Sequence, residues 1–191
     1  MNLDTLITIL LDDQPSKLIK EHEKEIFAMI PELQQCQGFN QNNIWHIYDV
    51  YEHILHVVDG VPANITLRLA ALFHDIGKPL AYKEDDQGVG HFYGHWDLSN
   101  AIFLAFAHKN NLEKHLIVSV SHLIKYHDIR VEQMSDIEIK DIIKDFTKEE
   151  IDMLFAIKKS DLLAQNSIYH HLLESYDNQR KRVLNIYRTL S

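Results

Sequence analysis

The chain has 191 residues, of which 46% are hydrophobic, and its formal net charge is −9. This length predicts one domain with an ample core, and the acidic charge disfavours a protein that binds duplex DNA by broadly neutralising its phosphates. No apolar run approaches the roughly 18 residues of a membrane span, and the acidic N-terminus lacks the basic start of a signal peptide. Cys36 is the only cysteine, which excludes an internal disulfide, and we expect a cytoplasmic protein in a reducing compartment.

The N-terminal part of the chain is predicted to be helical with one loop. Residues 3–30 indicate two helices, the second of which begins with Pro15 as its first helical residue and ends at Pro31. The polar segment 32–47 predicts a short helix followed by a loop. Helical periodicity returns over residues 49–59.

The next helix carries the residues around which the chain is organised. Asn64 is its expected N-cap, and an apolar face leads to adjacent His74 and Asp75 at its C-terminal end. Gly77 is predicted to adopt a left-handed cap, and Pro79 is expected not to continue the helix. Imidazole and carboxylate groups both bind borderline divalent metals, and one metal needs more ligands than these two.

The C-terminal half is also predicted to be mainly helical. The segment around 80–94 could form a small irregular hairpin or only a loop. Capping-box sequences begin at Ser135 and Thr147 and predict two helix starts. Further helices are predicted over residues 96–108, 112–126 and 168–189. The predicted fold class is therefore all-α, a bundle of many short helices.

Four further stretches offer metal ligands at helix ends, after the hairpin or inside a helix. The candidate ligands in these stretches are His53, His95, His127 and Asp161. Each of them alone is more often structural or solvated than a ligand. His56 lies on the same helix face as His53, so the residues alone leave His56 open as the ligand from that helix.

In chain order, these residues resemble the HD superfamily of metal-dependent phosphohydrolases, whose minimal pattern is His, His-Asp, Asp. The resemblance favours His53 over His56. It implies that the first metal is bound by His53, His74, Asp75 and Asp161. His95 and His127 match the additional histidines of members that hold a second metal.

Longer stretches are similar to the HD region of CCA-adding tRNA nucleotidyltransferases over about residues 25–166. They include residues 30–33, 49–53, 67–79, 91–95 and 161–165. The nucleotidyltransferase domain of that family would precede this region, and its Gly-Ser turn with paired acidic residues is not found. We therefore expect a free-standing HD phosphohydrolase domain over 1–191, with terminal helices 1–24 and 167–191 packed on the core.

The resemblance implies roles for individual residues. Asp75 and Lys78 are the expected catalytic residues. Asp75 is the bridging ligand if two metals bind, and Lys78 is placed to contact a phosphate oxygen of the substrate as a point charge. His91 is expected to support the ligands or contact substrate phosphate, with a purely surface role left open. The cofactor is one or two divalent ions of Mn, Ni, Co, Fe, Zn or Mg.

The resemblance also implies a substrate class. We expect a phosphomonoesterase or phosphodiesterase that acts on a small phosphorylated substrate such as a nucleotide, a 2′,3′-cyclic phosphate or an RNA end. The alternatives are a hydrolase of nucleoside polyphosphates or dinucleotides and a non-catalytic module that binds nucleotide or RNA. No membrane and no duplex DNA is expected as a partner, and the sequence does not determine the oligomeric state.

Overall fold

The computed structural model describes residues 1–190, and helices, including 3-10 turns, account for 67% of the chain. The N-terminal helices are α1 Leu3–Leu10, α2 Pro15–Glu21, α3 Glu23–Met29 and α4 Pro31–Cys36. Pro15 and Pro31 are first helical residues. The prediction of a single helix from Pro15 to residue 30 is wrong, because the backbone at His22 (φ −106°, ψ 22°) leaves helical geometry. Hydrogen bonding nevertheless continues through His22, which donates to the Leu18 carbonyl.

The centre of the fold is formed by α5 Val50–Gly60 and α6 Ile65–Phe73, followed by the short α7 Lys78–Ala81. Asn64 caps α6 as predicted, since its Oδ1 accepts from the N–H groups of Thr66 and Leu67. Every residue of α6 from Leu67 onward is buried. Helices on all sides cover α6, which packs against α1 and α5 and against three later helices described next.

The segment after α7 is a hairpin rather than a plain loop. Strands β1 Lys83–Glu84 and β2 Gly90–His91 pair antiparallel, with Lys83 opposite His91. The C-terminal half then contains α8 His95–Lys109, α9 Lys114–Tyr126, α10 Asp136–Ile143, α11 Lys148–Leu163 and α12 Leu173–Tyr187. The later helices that cover α6 are α8, α9 and α11, and α8 also packs on α9.

The remaining predictions for the C-terminal half are confirmed with one adjustment. Capping boxes begin α10 at Ser135 and α11 at Thr147. The helix predicted from residue 168 begins as the 3-10 helix Ser167–Leu172 and becomes α-helical only in α12. The terminal helices pack on the rest, α1 on α6 and α12 on α10 and α11. Among residues 1–190, no helix is both long and apolar enough to cross a membrane.

Gly77 departs from its predicted role, whereas Pro79, as predicted, does not continue α6, which ends at Phe73. Gly77 has φ −82° and ψ −7°, so it is not a left-handed cap, and Pro79 lies inside the first turn of α7. Gly77 is needed for packing instead, because a Cβ there would lie 2.6 Å from Ser99 N and 2.7 Å from His95 O. The Gly77 N–H also donates to Ser99 Oγ over 2.9 Å. This close approach sets the start of α8 directly against the turn that follows Asp75.

Candidate metal centre

The structure brings all six predicted ligands to one buried cluster. They come from five elements, and helix ends supply most of them: His74 is the C-cap of α6, His127 is the C-cap of α9, and His95 is the first residue of α8. His53 lies on α5 and Asp161 on α11. His56 is exposed and stacks on Tyr48, which removes it as the alternative to His53.

Asp75 lies between two pairs of histidines. Its Oδ2 is 3.3 Å from His53 Nε2 and 3.2 Å from His74 Nε2. Its Oδ1 is 3.1 Å from His95 Nε2 and 3.6 Å from His127 Nε2. The two carboxylate oxygens therefore face two adjacent half-sites, each formed by Asp75 and two imidazoles.

Backbone carbonyls orient three of the four rings. Nδ1 of His74, His95 and His127 lies 2.7–2.9 Å from the carbonyl oxygen three residues earlier. In a neutral imidazole, Nδ1–H donates to this carbonyl, and Nε2 then carries a lone pair rather than a proton. The Nε2 atoms of these rings therefore point at the carboxylate and at their neighbours as acceptors.

These acceptors need a cation between them. The facing Nε2 atoms are 3.4 Å apart in the pair His53–His74 and 3.3 Å apart in the pair His95–His127. Asp75 Oδ1 is buried and has no hydrogen-bond partner among residues 1–190. Imidazole and carboxylate donors suit a borderline divalent metal such as Mn, Fe, Co, Ni or Zn. The residues therefore fit one or two divalent ions, and their role as ligands stays a prediction.

Without metal, protonation of the histidines offsets the carboxylate charge. Burial opposes protonation of His53, but hydrogen bonds with Asp161 and Asp75 raise its pKa to about 9. Burial likewise opposes protonation of His127, but the adjacent Asp75 carboxylate raises its pKa. Burial lowers the pKa of His74. The first half-site thus holds a protonated His53 in the place where a metal would bring positive charge.

Asp161 joins the cluster by its contact with His53, and it is more exposed to solvent than Asp75, so the side of the cluster at Asp161 is its open edge. Its Oδ1 is 3.0 Å from His53 Nε2, and its side chain is 15% exposed whereas that of Asp75 is 2% exposed. Burial opposes ionisation of Asp161, but the hydrogen bond with His53 holds its pKa well below the usual value. Gln165, one helical turn later, donates to the same Oδ1.

Lys78 is buried against Asp75 rather than open to solvent. Its Nζ is 2.6 Å from Asp75 Oδ2, 2.8 Å from Gln41 Oε1 and 3.5 Å from His46 Nε2. Burial opposes ionisation of Asp75, but the electrostatic interactions with His74 and with the Lys78 ammonium hold its pKa well below the usual value. The predicted contact of Lys78 with a substrate phosphate remains untested.

Sequence reasoning missed Gln41 and His46 as members of the site. Burial, Lys78 and His53 together lower the pKa of His46 to about 2, so its ring is a neutral acceptor for the ammonium. The only signal for them was their position inside the stretch that resembles the tRNA nucleotidyltransferase HD region.

Lys158 was also missed as a structural partner of the site. It is buried, and its Nζ donates to the carbonyls of His127 over 2.9 Å and Ile129 over 2.7 Å. The ammonium lies over the ring of Tyr176. A cation at a helix C-terminus satisfies carbonyls that have no intrahelical donor, and here it fixes the turn that carries His127.

The structure does not bring His91 into the cluster. Its Nε2 is 2.9 Å from Asp85 Oδ2, and its ring stacks on Tyr93, so these contacts lie within and beside the hairpin. A substrate-binding role for His91 therefore stays a prediction without support from these contacts.

In a comparison with known protein families, residues 43–186 of the chain match the family model described as HD domain. A CC-adding tRNA nucleotidyltransferase of Thermus thermophilus is 33% identical over 104 residues, which cover 51% of this chain and 24% of the relative. An A-adding tRNA nucleotidyltransferase of Deinococcus radiodurans is 38% identical over 72 residues, which cover 35% of this chain and 16% of the relative. The matched region thus spans less than a quarter of the length of either relative.

Proposed function

This chain belongs to the HD domain family, a superfamily of metal-dependent phosphohydrolases, and from that premise we propose that it hydrolyses phosphate esters of nucleotides or RNA ends. The observation that carries the proposal is the position of Asp75 between two histidine pairs, one for each carboxylate oxygen. One carboxylate that faces two half-sites is the arrangement expected of a ligand shared by two ions. Divalent ions bound there would lower the pKa of a water molecule and polarise a phosphoryl oxygen.

The protein's own side chains prepare the site for this chemistry. Three imidazoles are already oriented by carbonyls and need no rotation to present Nε2. In the proposed mechanism, the ammonium of Lys78 changes its contact partner. Asp75 and its histidine neighbours would hold a divalent ion that supplies positive charge beside the carboxylate, and Lys78, which also donates to Gln41, would then be able to contact a phosphate oxygen.

The proposed substrate class rests on the relatives and on charge. Two relatives are named for adding C or A to tRNA, and we extend from them only the expectation of a nucleotide, a 2′,3′-cyclic phosphate or an RNA end. The net charge of −9 fits a small phosphorylated substrate better than a long nucleic acid, since few cations are available to neutralise a backbone. The full set of six convergent ligands weighs against a non-catalytic module, because a decayed site would have lost some of them.

The test combines metal content with turnover. Protein purified without chelator is analysed for bound metals and then assayed with mononucleotides, 2′,3′-cyclic nucleotides and a generic phosphodiester, in Mn, Ni, Co and Mg. We expect metal-dependent hydrolysis that chelation removes and that His95→Ala with His127→Ala strongly reduces. The matched control is His115→Ala, an exposed histidine on α9 that pairs with Glu113. Hydrolysis unaffected by chelation, or lost equally in the His115 control, would contradict the proposal.

A further inference from the structure

Two uncharged segments form a continuous rim beside the cluster. We name residues 39–48 and 162–173 the neutral rim. Neither segment contains Asp, Glu, Lys or Arg, although these residues make up 25% of the chain. Asn166 joins the two segments, since its N–H donates to the Trp45 carbonyl over 2.8 Å and its side chain donates to the Ile44 carbonyl.

The neutral rim borders the open edge of the cluster. From the first segment, the ring of His46 lies 5.1 Å from the ring of His53. From the second, the Ala164 carbonyl lies 3.4 Å from His53 Nδ1, and Gln165 donates to Oδ1 of Asp161, whose side chain is 15% exposed. A substrate whose phosphate reaches Asp75 through this edge must place the rest of its structure against the rim.

An aromatic pair stands on this rim. The rings of Trp45 and Tyr169 are stacked, with centroids 3.7 Å apart and planes inclined by 23°. Tyr169 covers one face of the indole, yet Trp45 remains 43% exposed, so a large part of the residue stays open to solvent. Ile44, Ile47 and Ile168 beside it are also exposed. An exposed apolar patch with a polar surround is typical of a binding surface.

We propose that the neutral rim is a nucleobase subsite in which a base stacks on the exposed part of Trp45. The inference rests on the proposed function and deepens it, because it assigns the part of the substrate that the metal centre does not hold. A base is flat, aromatic and uncharged, and it matches an uncharged aromatic surface next to a phosphate site. Stacking on an aromatic side chain accepts any base, so the subsite selects nucleotides over sugar phosphates rather than one base over another.

The test compares ligands with and without a base. Binding of adenosine 5′-monophosphate and of ribose 5-phosphate is measured by isothermal titration calorimetry in chelator, where no metal-dependent hydrolysis occurs. We expect the nucleotide to bind more tightly by about five-fold or more. Trp45→Ala should remove this preference, whereas Trp45→Phe, which keeps a ring, should retain most of it. Ile137→Ala, which removes an exposed apolar side chain from α10, is the matched control and should change nothing.

Three outcomes would overturn the subsite. The first is equal affinity for the two ligands, and the second is a preference that survives in Trp45→Ala. The third is a change of oligomeric state in Trp45→Ala by size-exclusion chromatography, which would make the rim an interface between copies. If circular dichroism shows that Trp45→Ala is not folded, the Tyr169→Leu variant is used instead, because Tyr169 is the other ring of the stacked pair.

Failure of the nucleobase subsite and failure of the proposed hydrolase activity give different results in these experiments. A base preference that depends on Trp45, with no hydrolysis of any ester, would keep the subsite and contradict the enzyme. Equal turnover of both ligands, with no base preference in binding, would keep the enzyme and contradict the subsite.

Discussion

Lys78 Nζ lies 2.6 Å from Asp75 Oδ2, the oxygen that also faces His53 and His74. Both partners of this ion pair are buried. The ammonium therefore occupies the side of Asp75 on which the first metal is predicted to bind. Lys78 and a divalent ion compete for the same oxygen, so the metal-free and metal-bound proteins should differ in what neutralises Asp75.

The first prediction follows from this competition. Lys78→Met leaves the buried Asp75 carboxylate without its ammonium partner, which should lower the free energy of unfolding of the metal-free protein by about 3–5 kcal/mol. Added Mn should then raise the melting temperature by more than in the parent, because no ammonium has to be displaced. Differential scanning fluorimetry with and without Mn measures both effects. Lys83→Met, on the exposed strand β1, is the control, and an equal Mn-induced shift in both variants would contradict the prediction.

The second prediction concerns Asp75 itself. Asp75→Ala removes the carboxylate that serves both half-sites, so metal content should fall at each and turnover should be abolished. The protein should remain folded, because α6 is held by buried Leu69, Leu72 and Phe73. Metal analysis, single-turnover hydrolysis of a phosphodiester and thermal unfolding without metal are measured together. Activity retained with an unchanged metal count would show that Asp75 is neither a metal ligand nor the catalytic carboxylate.

The third prediction is a release of protons on metal binding. The pKa of His53 is raised to about 9 in the metal-free fold, so His53 is protonated at pH 7.5, whereas a metal ligand must be neutral. Metal binding at pH 7.5 should therefore release about one proton from His53, and affinity should rise with pH up to about 9. Calorimetry in two buffers of different ionisation enthalpy counts the protons. Asp161→Asn removes the carboxylate whose hydrogen bond raises the pKa of His53, so this variant should release fewer protons on metal binding.

The same shift fixes the sign of a stability change. The pKa of His53 is higher in the folded metal-free protein than its unperturbed value, so its contribution to stability is fully present below about pH 6.5. The contribution is lost as pH rises toward 9, because the folded protein then releases the proton. The free energy of unfolding of the metal-free protein is measured between about pH 6.5 and pH 9 in the parent and in His53→Gln. A free energy that rises with pH in the parent, and that follows the same course in His53→Gln, would contradict this assignment.

The side chains that converge could be named from the sequence because their order along the chain resembles the HD pattern, and some of them also lie at a local signal. His74 and Asp75 are adjacent at the end of an apolar helix, and His127 ends another helix, so helix boundaries alone bring them to open ends. The same reasoning failed at Gly77, because the reason for that glycine is the approach of Ser99, 22 residues away. Contacts between distant segments leave no periodicity or cap in the sequence.

The partners of the two buried lysines show the same limit. A lysine in a sequence is expected to be solvated, and nothing local predicts that Lys78 meets Gln41 or that Lys158 meets the end of α9. These contacts depend on how α5, α9 and α11 pack around α6. The fold class and the ligand candidates were therefore predictable, and the groups that hold the ligands in place were not.

The last prediction tests one of those groups. Lys158→Met keeps a long apolar side chain over Tyr176 but removes the ammonium that donates to the carbonyls of His127 and Ile129. These carbonyls follow the end of α9 and lose their donor, so the free energy of unfolding should fall by about 1–3 kcal/mol. The turn that carries His127 should also loosen, and the half-site formed with His95 should bind metal more weakly, whereas the half-site of His53 should not. The metal count should therefore fall from two toward one.

Lys159→Met, next in sequence and paired with Asp177 at the surface, is the matched control and should keep both the stability and the metal count. Metal titration followed by elemental analysis measures the change, and equal losses in the two variants would show that Lys158 does not position His127.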